Sequence, residues 1–134
     1  MTERMCSDVS QIIKKNIKSD INIMNDIVSD ILLSIDKEIG DDDMFNIRLI
    51  LSELIINGIK HGNKNDIEKN IFISLFIDDK WVEISVSDEG EGFIYTKNID
   101  PFAYCESGRG LLLVEGLSDM FIVCKNNITS IKYI

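Results

Sequence analysis

The stretch from Ile47 to Gly62, Ile-Arg-Leu-Ile-Leu-Ser-Glu-Leu-Ile-Ile-Asn-Gly-Ile-Lys-His-Gly, constrains the fold of this chain more than any other. It is apolar at helical density, yet Glu53, Asn57, Lys60 and His61 interrupt it. Their spacing of i, i+4, i+7 and i+8 brings all four to one face of a helix. A carboxylate on so greasy a helix is costly to bury unless something compensates it. The remainder of the chain has to supply either solvent or a ligand for that face.

A chain of 134 residues predicts a single domain, spanning 1–134, with one hydrophobic core. The net charge of -9 argues against direct nucleic-acid binding, which needs a basic face. A few clustered cations can still hold a nucleotide. Cys6, Cys105 and Cys124 are widely spaced, and the chain has one histidine. Neither a disulfide framework nor a metal cluster follows, and a reducing cytoplasm is expected. The first residues show no charged-then-apolar leader, and no apolar run approaches the roughly 18 residues of a membrane span. A cytoplasmic location without membrane contact is therefore expected.

Along the chain, Val9 to Ile17 fits either an edge strand or a helix. Ile23, Ile27, Ile31, Leu32 and Ile35 recur at helical spacing and predict an amphipathic helix over 21–35, ended near Gly40. Asp41-Asp42-Asp43 reads as a cap cluster for a helix from about Met44 to His61. Residues 71–77 and 81–87 predict a hairpin around Asp78-Asp79-Lys80. After a glycine-containing break at 88–92 and a loop over 93–107, helical spacing returns at 108–119. A second hairpin follows over 120–124 and 128–134, around 125–127. This order predicts an α+β two-layer sandwich: a mixed, mainly antiparallel sheet with helices on one face.

Three stretches carry chemistry. On the helix, Asn57 offers a neutral oxygen suited to Mg²⁺, and Glu53 one turn earlier can orient an attacking hydroxyl or water. Alone, the pair also fits a solvated stripe. Asp88-Glu89-Gly90-Glu91-Gly92-Phe93 follows a strand, so its glycines permit close backbone approach and Asp88 can accept from an adenine amino group. Alone, it also fits an ordinary turn. Ser107-Gly108-Arg109-Gly110 opens a helix, where free N–H groups and the dipole favour a phosphate and Arg109 adds charge. Alone, it also fits a flexible helix start.

In this order and spacing, Glu-x-x-x-Asn, Asp-x-Gly-x-Gly and Gly-x-Gly resemble the histidine-kinase-like (GHKL) ATP-binding fold over roughly residues 20–134. The motif versions at 47–62, 88–93 and 107–111 resemble those of the anti-sigma-factor serine/threonine kinases. The resemblance implies ATP and Mg²⁺ as cofactors, with Glu53 as general base and Asn57 as Mg²⁺ ligand. It implies adenine recognition by Asp88 with Gly90 and Gly92, and phosphate contacts from Gly108, Arg109 and Gly110 under a lid at about 93–107. Lys60 and His61 would assist at the phosphates or pack, and Thr129 would lie near the adenine-binding aspartate. The implied reaction is phosphorylation of a small anti-sigma antagonist protein; the implied partners are that protein and a sigma factor, with homodimers frequent in the family.

Two positions depart from the pattern. Glu106 stands where members often carry a basic residue, and Ile128 where a glycine usually precedes the late threonine. A carboxylate at 106 repels phosphates unless it points to solvent or Arg109 compensates it. That keeps open a non-catalytic, ATP-responsive module that sequesters a partner. A stand-alone histidine kinase ATPase domain is a further alternative.

Overall fold

In the computed structural model the described residues are 10–92 and 106–134, with 106–109 described by backbone only. Strand β1 (Gln11–Lys18) leads through a 3-10 turn (Ile21–Ile23) into helix α1 (Met24–Leu33). Helix α2 (Asp41–Asn57) continues as a π-helical turn (Gly58–Gly62). Strands β2 (Asn70–Ile77) and β3 (Trp81–Ser87), helix α3 (Glu106–Leu117) and strands β4 (Met120–Cys124) and β5 (Asn127–Tyr133) complete it. The five strands form one sheet in the order β1-β2-β3-β5-β4, with every pairing antiparallel. The expected α+β sandwich is what the chain forms, and the sheet, expected to be mixed and mainly antiparallel, is antiparallel throughout the described residues.

Strand periodicity decides which face of the sheet is covered. Ile71, Ile73, Leu75 and Ile77 of β2 and Val82, Ile84 and Val86 of β3 are buried. They share one core with Val28 and Ile31 of α1, Ile47, Ile50, Leu51, Leu54 and Ile55 of α2, and Leu111 and Val114 of α3. A fully buried Leu or Ile contributes about 1.5–3 kcal/mol relative to exposure, so this layer holds helices to sheet. Alternate residues such as Ile12, Phe72 and Ile122 lie on the open face and are exposed.

The ambiguous first segment is a strand. Ile13 and Ile17 face the core while Lys14, Lys15 and Lys18 stay in water, a charged edge that resists further pairing. Gln11 anchors it: Nε2 donates to the Ser34 carbonyl (2.6 Å), and Oε1 accepts from the Asp36 N–H (2.8 Å). These bonds fall beyond the end of α1, which stops at Leu33 rather than near Gly40. The expected Asp cap is also revised. Gly40 is the N-cap of α2, with no side-chain cap bond, and Asp41, Asp42 and Asp43 occupy the first turn, where they complement the dipole.

Candidate functional site

The C-terminal end of α2 forms one wall of a cavity of about 340 Å³, lined by Asn57, His61, Gly62, Lys64, Asp88, Glu91 and Gly92. That volume lies at the lower end of the roughly 300–1,000 Å³ typical of small-molecule sites. The π-turn decides which side chains reach it. The Asn63 N–H donates to the Gly58 carbonyl (2.8 Å), closing an i to i+5 turn in place of an α-helical one. The extra residue breaks the single face expected from α-helical spacing. His61 joins Asn57 at the cavity, whereas Lys60 is exposed and does not line it.

Asn57 is only 6% exposed, and its Oδ1 has no hydrogen-bond partner among the described residues. Leaving a buried acceptor unsatisfied costs about 1–3 kcal/mol, so this atom marks a place where an absent partner is expected. A neutral oxygen from one side chain suits Mg²⁺, which usually takes one or two protein ligands and fills its shell with phosphates and water.

At the other end, Asp88 leaves β3 toward the helices and is 8% exposed. Its Oδ1 accepts from the Gly90 N–H (2.7 Å). Burial pushes its carboxyl above the ordinary value, against smaller downward effects of the Gly90 N–H and the Lys69 charge. Two glycines allow this placement. A Cβ on residue 62 would lie 2.0 Å from Asp88 Oδ2, and a Cβ on residue 90 would lie 2.2 Å from the Gly62 carbonyl oxygen. Gly92 adopts φ of +86° and packs on the β4–β5 turn, where a Cβ would meet the Lys125 carbonyl carbon at 2.5 Å. From that turn, Asn126 Nδ2 donates to the Asp88 carbonyl (2.6 Å), and the Asp88 N–H donates to the Asn126 carbonyl (3.1 Å).

Glu53 lies one turn before Asn57 and meets α3. A Cβ on residue 110 would lie 2.6 Å from Glu53 Oε1, so Gly110 leaves room for that carboxylate. Helix α3 starts at Glu106, which puts Gly108, Arg109 and Gly110 inside its first turns rather than ahead of it. The side chain of Arg109 and residues 93–105 of the lid expected at about 93–107 lie outside the described residues, while 106 and 107 belong to α3.

Thr129 is not brought to the cavity. Alternation along β5 turns Ile128 and Ser130 inward, and Thr129 faces the open side of the sheet. Its Oγ1 donates to Asn127 Oδ1 (3.1 Å) and lies 3.2 Å from Ser85 Oγ. The inward position opposite Val86 is held by Ile128.

Four residues of this region were not singled out from the sequence. Lys64 and Glu91 line the cavity, and Asn126 and the fully buried Asn63 bracket the Asp88 loop. Asn63 carried one usable signal, a small amide directly after the helix-ending glycine. Glu91 stood inside the 88–93 motif without a task of its own, and Lys64 and Asn126 carried no signal.

Comparison with known proteins follows the same lines. A family model described as the histidine kinase-like ATPase domain matches residues 20–131. The chain is 34% identical to the serine-protein kinase RsbW of Staphylococcus epidermidis, over 69% of this chain and 67% of that protein. It is 34% identical to the anti-sigma F factor of Geobacillus thermodenitrificans, over 61% of this chain and 60% of that protein. It is also 31% identical to that of Geobacillus stearothermophilus, over the same shares. Among the described residues, no helix is long and apolar enough to cross a membrane.

Proposed function

The chain belongs to the histidine kinase-like ATPase domain family, and from that premise we propose that it is an ATP-binding anti-sigma regulatory factor with serine/threonine-protein kinase activity. It phosphorylates a small anti-sigma antagonist protein and binds a sigma factor, in the cytoplasm and as one domain. The observation that carries this reading is the buried Asn57 Oδ1, without a partner among the described residues, on the same cavity as the buried Asp88. The similarity to a serine-protein kinase and to anti-sigma F factors supports the choice of substrate and partners.

Each residue then has a separable task. Asp88 accepts from the adenine amino group, with Gly62, Gly90 and Gly92 giving the base room. Asn57 Oδ1 would hold Mg²⁺, which when bound neutralises charge on the phosphate oxygens. Gly108, Arg109 and Gly110 would face the phosphates from the start of α3, where helix N–H groups favour anions. Glu53 takes the proton of the substrate hydroxyl as its oxygen bonds to the γ-phosphorus and ADP departs. Such transfer depends mainly on positioning and electrostatics.

The test is incubation with Mg²⁺, γ-labelled ATP and the candidate antagonist proteins of the host. Phosphoserine or phosphothreonine on one of them is expected; none on any would remove the kinase. A second reading, a non-catalytic ATP-responsive sequestering module, is favoured by Glu106 alone. It requires that Glu53→Ala leave partner control intact.

A further inference from the structure

We propose that Asn63 is the positioning residue for adenine recognition, because its side-chain amide latches the Asp88 loop to the end of the nucleotide helix. The inference rests on the ATP reading above and adds to it a residue outside the three motifs. Asn63 is fully buried. Its Oδ1 accepts from the Glu89 N–H (2.7 Å), while its Nδ2 donates to Ser19 Oγ (2.6 Å) and to the Asn70 carbonyl (2.9 Å). The amide thus joins the exit of β1, the entry of β2 and the exit of β3, and its own N–H closes the π-turn on Gly58.

Only the Glu89 bond reaches the loop that reads the base. Glu89 sits between Asp88 and Gly90, whose N–H holds Asp88 Oδ1. Anchoring the middle of that turn therefore sets the direction of the carboxylate. The Asp88 backbone has its own support from Asn126. Loss of the latch leaves the strand end in place and frees the turn. A second bond spans the same gap in the other direction: the Asn70 N–H donates to the Glu89 carboxylate. The Ser19 bond stabilises the same buried amide without touching the loop, which separates a positioning role from a merely structural one.

The experiment compares the wild-type full chain with Asn63→Ala, Asn63→Asp and Ser19→Ala. Affinities for Mg·ATP and Mg·ITP, which lacks the 6-amino donor, are measured with amide hydrogen exchange at Glu89 and Gly90. A hydrogen bond to a charged group is worth about tenfold or more in affinity. Asn63→Ala should lose about that much of the ATP-over-ITP preference and speed exchange at Glu89. Asn63→Asp keeps an acceptor for the Glu89 N–H, so it should keep the preference even if it melts earlier. Ser19→Ala should lower Tm and leave the preference unchanged. A wild-type ratio in Asn63→Ala, or an equal loss in Ser19→Ala, overturns the proposal. Should the wild-type chain not prefer ATP, the adenine role of Asp88 falls; the latch is then judged by Glu89 exchange, faster in Asn63→Ala alone or not.

Discussion

The two ends of the cavity are built in opposite ways. Around Asp88 the backbone is gripped from both sides, by Asn63 and by Asn126, and the carboxylate is held by its own turn. Around Asn57 a buried oxygen has no partner among the described residues. On the proposed reading, the first end is complete within the protein and the second would be completed by what binds. A site that must recognise a rigid base gains from preorganisation, because ordering is not left to the binding step. A site for phosphates and a metal gains from leaving a ligand position open.

The largest effect expected from this contrast is at Gly90. Its missing Cβ faces the Gly62 carbonyl, a backbone atom that cannot swing aside. Gly90→Ala should lower stability by about 3 kcal/mol, the upper range for overpacking, and abolish stabilisation by ATP. Urea unfolding with and without Mg·ATP measures both. Gly110→Ala brings a Cβ against the end of the flexible Glu53 side chain instead. It should cost under about 1 kcal/mol, because the carboxylate can turn away, while phosphoryl transfer falls. Equal destabilisation by the two changes would break the comparison.

Next comes Asn57→Ala. A ligand at a hundred times its Kd stabilises the native state by about 2.7 kcal/mol. Wild-type protein should show that rise with Mg·ATP, and the variant should lose most of it. Without ligand the variant should unfold within about 1 kcal/mol of wild type, since the substitution also removes an unsatisfied buried acceptor. A large unliganded loss would mean that Asn57 is held by the protein after all.

Much of this contrast was legible in the sequence. The period of α2, the strand before Asp88 and the glycines at 90 and 92 are local signals, and they single out Asn57, Asp88 and Gly92, which line one cavity. The π-turn was not legible, because Gly58 to Gly62 differs from an α-helical turn by one residue whose partner, Asn63, becomes visible only in three dimensions. That slip separated Lys60 from His61. Thr129 failed for a similar reason: in a strand, a displacement of one residue exchanges the two faces. Asn63 itself could not be assigned a task, since its partners Ser19, Asn70 and Glu89 come from three separate segments.

Asp88 makes its own end of the cavity sensitive to pH. Its folded-state pKa is raised by burial, so the folded form holds its proton to higher pH than the unfolded chain does. The stability this group contributes is fully present below the unfolded value and is lost as pH rises through the raised folded value. On the proposed reading ATP binding should have the opposite sign, because an ionised carboxylate is the better acceptor for the adenine amino group. Lowering pH through that window should weaken ATP binding while this group favours the unliganded fold. Asp88→Asn should remove both dependences, as read by nucleotide titrations and melts across pH. Parallel dependences in wild type and variant would assign them to other groups.

The smallest effect tests how much the adenine end owes to the β4–β5 turn. Lys125 has φ of +56° in a two-residue connection, a conformation that non-glycine residues adopt at a cost of about 1–2 kcal/mol. Lys125→Gly relieves that strain, and the added freedom of the unfolded chain takes back about 0.5–1 kcal/mol. A net gain of about 0.5–1 kcal/mol in urea unfolding is expected. Asn126 keeps its place in the turn, so its bonds to Asp88 and the affinity for ATP should be unchanged. A gain in stability with a fall in ATP affinity would show that the conformation of the turn at residue 125, on which Gly92 packs, is itself part of what holds the Asp88 loop.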